Sequence, residues 1–365
     1  MQTNNQQAFL ALLRAGLWES KIALSTYGEI DLKVVYRLAQ EQAVVGIVAA
    51  GLEHVVDTRI PQEVALTFVG EALQLEHRNK AMNSFIRDLV AKMRDAGIYT
   101  ILVKGQGIAQ LYKKPLWRAS GDIDLLLSES NYELAKSFLM PLATNVEGED
   151  FEKKHLSMTI DSWIVELHGS LKCGLSRRID KVVENAQREV FYGGNVRSWI
   201  NGGTQVFLPG INSDIVFIFA HILQHFFIEG VGLRQVCDWC RLLWAYRDTL
   251  DIQLLEKRLR NAGILTEWKT FASLAVNSLG MPAEAIPFYS QSRRYDRKAR
   301  LLLKRIFKTG NMGHNNNVSY RREKSPLVSN VITFCRRLSD FAKFSLIFPF
   351  DSPRFFVNYV FDKIR

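Results

Sequence analysis

The chain has 365 residues, 47% hydrophobic and 23% charged, the balance of a globular protein long enough for two or three compact units. That composition excludes a wholly disordered chain, a collagen-like repeat and a disulfide-dense mini-scaffold. The 47 basic residues exceed the 37 acidic ones, for a formal net charge of +10, and the excess is local: residues 291–365 carry 17 basic and 5 acidic residues, the remainder 30 and 32.

From the N-terminus, residues 8–17 and 32–52 show apolar spacing typical of helices. Pro61 suits a first helical turn, and the pattern from Gln62 runs to Ala96, where Gly97 predicts a left-handed C-terminal cap. Residues 98–103, rich in β-branched and aromatic side chains, read as a buried strand. A glycine turn at Lys104-Gly105-Gln106-Gly107 follows, then a short helix over 108–112 that Pro115 ends. A second strand is predicted over 122–127, a helix over 130–140, and a hairpin from 157–160 and 163–167 joined by Asp161-Ser162. The next element read is a short strand at 205–208. Helices follow from Asn212 or Ser213 to Glu229, then to Tyr246, and over 252–262, 266–279 and 293–307. Residues 310–319, rich in Asn and Gly, read as an exposed loop.

Four cysteines, Cys173, Cys237, Cys240 and Cys335, do not make a disulfide framework in a chain this long. The polar first residues lack the order of a signal peptide, and no run of about 18 apolar residues is uninterrupted. A cytoplasmic location is the expectation. The basic C-terminal segment suggests an anionic partner, either a membrane surface or RNA, with a solubilising surface as the plainer reading. Its Arg and Lys residues interleave with aromatics (Arg336, Arg337, Phe341, Phe344, Phe348, Phe355, Tyr359), which suits stacked single strands, an interfacial helix or, more simply, helices packed on the body.

The sharpest chemical feature is Gly121-Asp122-Ile123-Asp124-Leu125-Leu126. Alternate residues of a strand share a face, so Asp122 and Asp124 point one way and Ile123 and Leu125 the other. Two carboxylates so placed repel one another unless a cation such as Mg²⁺ (or Mn²⁺) sits between them. Upstream, the Lys104–Gly107 turn aims backbone N–H groups at an anion; downstream, Val165-Glu166-Leu167-His168 supplies a third carboxylate on a strand. A phosphate cradle and three carboxylates are the parts of a two-metal phosphoryl-type transfer.

This order of motifs resembles the nucleotidyltransferase superfamily of DNA polymerase β, kanamycin nucleotidyltransferase and the poly(A) polymerases. More closely, Leu102-Val103-Lys104-Gly105, Leu111-Tyr112, Arg118 and the Gly121–Leu126 run, with Glu166-Leu167-His168 and Leu233-Arg234-Gln235-Val236-Cys237-Asp238, resemble the bacterial uncharacterised nucleotidyltransferase family over roughly residues 75–250. The resemblance implies that Asp122, Asp124 and Glu166 hold the metals, and that Lys104, Gly105, Gln106, Arg118 and Ser120 bind the nucleotide. The superfamily's Gly-Ser turn is here Gly105-Gln106, so Lys104 or Gln106 must replace the serine hydroxyl. The reaction implied is transfer of NMP from an NTP to a hydroxyl or phosphate acceptor. The alternative is a catalytically degenerate scaffold that binds a nucleotide or partner protein and is anchored by its basic tail.

Other residues admit two readings. His168 shares the face of Glu166 and suits either metal or substrate contact or a backbone hydrogen bond. His221 and His225, four apart on an apolar helix, are core histidines or line an acceptor pocket. Arg234 and Asp238, also four apart, make a surface ion pair or line the same pocket. Cys237 and Cys240 read as packed thiols, and His155 is given no role. The fold expected is α+β: a small mixed-sheet nucleotidyltransferase core over 97–210, an N-terminal helical region over 1–96, a helical domain over 211–309 packed on the core, and a basic, aromatic-rich segment over 310–365.

Overall fold

A computed structural model describes residues 2–313 and 338–364, without the side chains of residues 359 and 361–364. The loop expected from Gly310 falls outside the described residues beyond Gly313, as do Cys335, Arg336 and Arg337.

Among the described residues a seven-stranded mixed sheet has the order β3-β4-β5-β2-β1-β7-β6. The strands are β1 (Ile101–Val103), β2 (Asp122–Leu126), β3 (Asn145–Val146), β4 (His155–Ile160), β5 (Trp163–His168), β6 (Val196–Asn201) and β7 (Thr204–Pro209). β2 pairs antiparallel with β1 and parallel with β5, which puts Asp124 directly beside Glu166. β4 and β5 form the expected hairpin; Asp161 and Ser162 both take positive φ, as a tight two-residue turn requires.

One sheet face is covered by α4 (Gln62–Asp95) and α6 (Glu129–Leu139). Met82, Ile86, Leu89 and Met93 pack there with Ile123, Leu125, Val165 and Leu167. Gly97, at φ 77°, ends α4, and the Ile98 N–H returns to Met93 O at 2.8 Å. The other face carries α5 (Gly105–Ala109), α8 (Ile211–Ile228) and α9 (Leu233–Ala245). α8 is long and apolar enough to span a bilayer by length and composition alone, but 72% of it is buried inside the fold.

Three departures from the expected elements have physical causes. The single helix expected over 32–52 is two, α2 (Leu32–Glu41) and α3 (Val45–Leu52). Between them Ala43 takes φ 55°, and the buried Gln42 accepts the Leu233 N–H at 3.1 Å and donates to Ile306 O at 3.3 Å. The chain breaks there to cap α9. An amphipathic helix, α7 (Arg177–Tyr192), and strand β6 occupy a stretch given no element. Ser176 caps α7, whose Ile179, Val182, Val183, Ala186 and Val190 are buried. Gln106 is a helical residue rather than part of an open turn, because α5 begins at Gly105.

The remaining helices include α1 (Asn4–Trp18), α10 (Ile252–Ala262), α11 (Leu265–Leu279), α12 (Arg293–Thr309) and α13 (Asp351–Ile364), and residues 338–344 are also helical. A continuous apolar cluster runs from Ala8 and Phe9 of α1 through α3, α8, α9 and α11 to Phe341, Phe344, Phe348 and Phe355. Those four C-terminal rings stack around Phe226 and Phe227, with centroids 4.8 Å apart for Phe226–Phe344 and 5.0 Å for Phe227–Phe355. These four rings are therefore packed core, whereas Phe350 between them is 82% exposed.

Candidate active site

Beside the C-terminal end of β1 lies a cavity of about 320 Å³, lined by Lys104, Gly105, Asp122, Asp124, Glu166, His168, His221, His225 and Arg234 among others. Its floor follows from strand register. Asp122 and Asp124 share a face of β2, Glu166 is level with Asp124 on β5, and His168 is level with Leu126. One oxygen from each of Asp122, Asp124 and Glu166 lies within 4.8 Å of the other two.

The three carboxylates are held differently. Asp124 is buried, and its Oδ1 accepts from Lys104 Nζ and faces His168 Nε2, each at 2.8 Å. Burial works against its charge, but Lys104 and His168 outweigh that and hold its pKa below the usual range. Burial likewise opposes the Glu166 charge, and His155 and His168, at 3.3 and 3.4 Å, prevail and lower its pKa. The Asp122 carboxylate has no hydrogen-bond or ion-pair partner among the described residues. The adjacent Asp124 charge, then burial, push its pKa up. An unpartnered carboxylate facing two others is the donor set a hard divalent cation takes, so the trio fits Mg²⁺ or Mn²⁺.

Lys104 reaches this floor from a backbone at φ 57°, ψ −143°, with Gly105 at φ 40° behind it. The pair turns the chain sharply from β1 into α5 and swings the ammonium over Asp124. Burial disfavours the Lys104 charge, but the carboxylates prevail and raise its pKa.

Several expected nucleotide and pocket residues are held by partners within the protein. Gln106 is buried beneath α4, donating to Asn79 Oδ1 at 2.8 Å, so it does not stand in for the superfamily serine; only Lys104 of the two faces the cavity. Arg118 is buried in a bidentate pair with Asp238 on α9, Nε to Oδ1 at 3.1 Å and Nη2 to Oδ2 at 2.5 Å, and donates to Ser120 Oγ at 2.6 Å. Tyr112 donates to the same Asp238 at 2.7 Å. Asp238 is thus a buried anchor for Arg118 rather than the surface partner of Arg234, and both Asp238 and Arg118 line the cavity. Arg234 donates to Ala119 O at 3.1 Å, lines the cavity, and has a buried Nε without a partner. Burial, then the neighbouring Arg118 charge, lower its pKa.

His221 and His225 both line the cavity, their Nε2 atoms 2.9 Å apart, and His225 Nδ1 lies 2.8 Å from Glu229. Burial, then Lys104, keep His221 well below the usual imidazole range, so it is neutral. Cys237 and Cys240 are fully buried thiols, and burial raises both pKa values. The residue that sequence reasoning passed over is His155. Its signal was the hairpin register: six residues before Asp161 on one strand and six after Ser162 on the other are His155 and His168.

A family model described as "Uncharacterised nucleotidyltransferase" matches residues 28–280. No curated protein matches the chain, and no solved structure does.

Proposed function

The chain belongs to the uncharacterised nucleotidyltransferase family, and from that premise we propose that it transfers a nucleoside monophosphate from an NTP to a hydroxyl or phosphate acceptor in the cavity below α8. The observation that carries this reading is the placement of Asp122, Asp124 and Glu166 on adjacent parallel strands with mutually close oxygens.

Asp122, Asp124 and Glu166 would hold Mg²⁺ (or Mn²⁺), which when bound neutralises charge on the phosphoryl group in transfer. Lys104 is the cation nearest the floor, and it can pass from Asp124 to a phosphate oxygen with no change in the charge it meets. Arg234, on the far wall, has a guanidinium that no carboxylate pairs with among the described residues, so it supplies the second positive group for a triphosphate. Arg118 shapes the wall through Asp238 rather than binding phosphate itself. Neutral His221 faces the remaining space and accepts or donates a hydrogen bond to an acceptor group. A cytoplasmic location agrees with the free thiols of Cys173, Cys237 and Cys240.

Calorimetric titration of each NTP with Mg²⁺, on the native chain and on Asp122→Asn/Asp124→Asn, tests the reading. Saturable, metal-dependent binding of at least one NTP that the double variant loses is the expected result. Absence of binding by the native chain to all four would sink it and favour the non-catalytic scaffold.

A further inference from the structure

His155, Glu166 and His168 form a second constellation beside the carboxylate trio. The β4–β5 hairpin sets His155 directly across from His168, and Glu166 precedes His168 by two residues on the same face. His155 Nε2 stands 3.3 Å from Glu166 Oε2, and His168 Nε2 stands 3.4 Å from that same oxygen. These separations are long for charge-assisted hydrogen bonds, which contract to about 2.7–2.9 Å. They match the edges of a coordination polyhedron instead: two donors bound at 2.0–2.1 Å to a tetrahedral ion stand about 3.3 Å apart. Asp124 Oδ1, 2.8 Å from the same His168 Nε2, is that nitrogen's hydrogen-bond partner in the metal-free chain, so an ion takes His168 in exchange for this contact. The His155 side chain is 34% exposed and lines the cavity, which gives an ion a way in.

We propose that His155, Glu166 and His168 bind a borderline divalent transition-metal ion of the Zn²⁺ class, at a site joined through Glu166 to the oxygen-only trio. Imidazole nitrogens select such ions, whereas carboxylate oxygens alone suit Mg²⁺, Ca²⁺ or Mn²⁺. Two histidines and one carboxylate also leave coordination positions open towards the cavity, where a water or a substrate oxygen can bind.

The test uses the full chain, stripped of metal and free of nucleotide, with Co²⁺ as probe because low-coordinate Co²⁺ on nitrogen absorbs strongly in the visible. A saturable band is expected at one equivalent, displaced by Zn²⁺. His155→Asn should weaken binding at least tenfold, and Asp122→Asn should leave the band in place. His155→Cys, which restores a ligand for this class of ion, should bind again with an added sulfur-to-cobalt band in the near ultraviolet; it also decides the case where the Asn variant misfolds. No band in the native chain, unchanged affinity in His155→Asn, or equal losses in His155→Asn and Asp122→Asn would overturn the proposal. Because no nucleotide is present, this outcome and that of the Mg²⁺–NTP titration are independent.

Discussion

Lys104 holds a conformation that L-residues rarely adopt, at a cost of order 1–3 kcal/mol, to bring its ammonium to Asp124. With His155 and His168 it lets three carboxylates coexist when no metal is bound. Removing one partner of a buried pair leaves the other charge uncompensated, which costs about 3–5 kcal/mol. Lys104→Met should therefore lower the stability of the metal-free chain by about that much in urea denaturation. Mg²⁺ at millimolar concentration should stabilise this variant more than the native chain, since any ligand that prefers the folded state adds stability. Equal Mg²⁺ effects on both would mean that Lys104 and the cation do not share a site. The trio was legible in the sequence because alternation on a strand needs only residue spacing, and its third member followed from one more strand. His155, Gln106 and Asp238 were not. Their partners lie across a hairpin, under a 34-residue helix and 120 positions away, and no local pattern encodes those meetings.

At the scale of elements, the pocket is set by how closely helices approach. A Cβ on Gly46 of α3 would lie 2.0 Å from the carbonyl oxygen of Trp117, in the turn that delivers Arg118. Backbone cannot yield there, so Gly46→Ala should cost several kcal/mol, about as much as other overpacked or strained cores, and weaken NTP binding through the displaced Arg118 loop. Gly70 on the exposed side of α4 meets nothing within 4 Å, so Gly70→Ala should be neutral or stabilise by roughly 0.5–1 kcal/mol. Thermal melts of the two variants separate close packing from helix propensity. A second element-scale contact is Asp214, in the first turn of α8, clamped by Arg197 of β6. Burial raises the Asp214 pKa to about 6, although Arg197 opposes it. A folded-state pKa above the unfolded value near 3.9 means the native chain holds the extra proton, so stability falls as pH rises from about 4 to 6. The contribution is on the order of 3 kcal/mol, and Asp214→Asn should flatten that slope in denaturation midpoints measured across the window. The β2 and β4–β5 elements were readable from alternation and a tight turn. The break at Ala43 was not, since it exists to let Gln42 cap a helix almost 200 residues later, whereas α7 carries a helical apolar spacing and a Ser176 cap that could have announced it.

Across the whole molecule, the helical regions on either side of the sheet are not insulated from each other. Phe9 near the N-terminus and Phe355 near the C-terminus belong to one apolar cluster, and Trp18 of α1 donates to Leu279 O of α11 at 2.6 Å. The same cluster covers the back of α8, whose front carries His221 and His225 in the cavity. Phe341, Phe344, Phe348 and Phe355, spent in that packing, are not available to stack bases, so attraction of this packed part of the segment to an anionic surface rests on its charge and fades with salt. Independent domains would unfold separately, and a truncated ring would lower only the transition of its own unit. One shared core predicts the opposite. Phe9→Ala and Phe355→Ala should each cost about 3–5 kcal/mol and move the same transition, seen alike by far- and near-ultraviolet circular dichroism. Both should also weaken Mg²⁺–NTP binding near the midpoint, because α8 loses its support as the core opens. Two resolved transitions, with Phe9→Ala shifting one and Phe355→Ala the other, would show instead that the N-terminal helices and the C-terminal segment fold as separate units around the sheet.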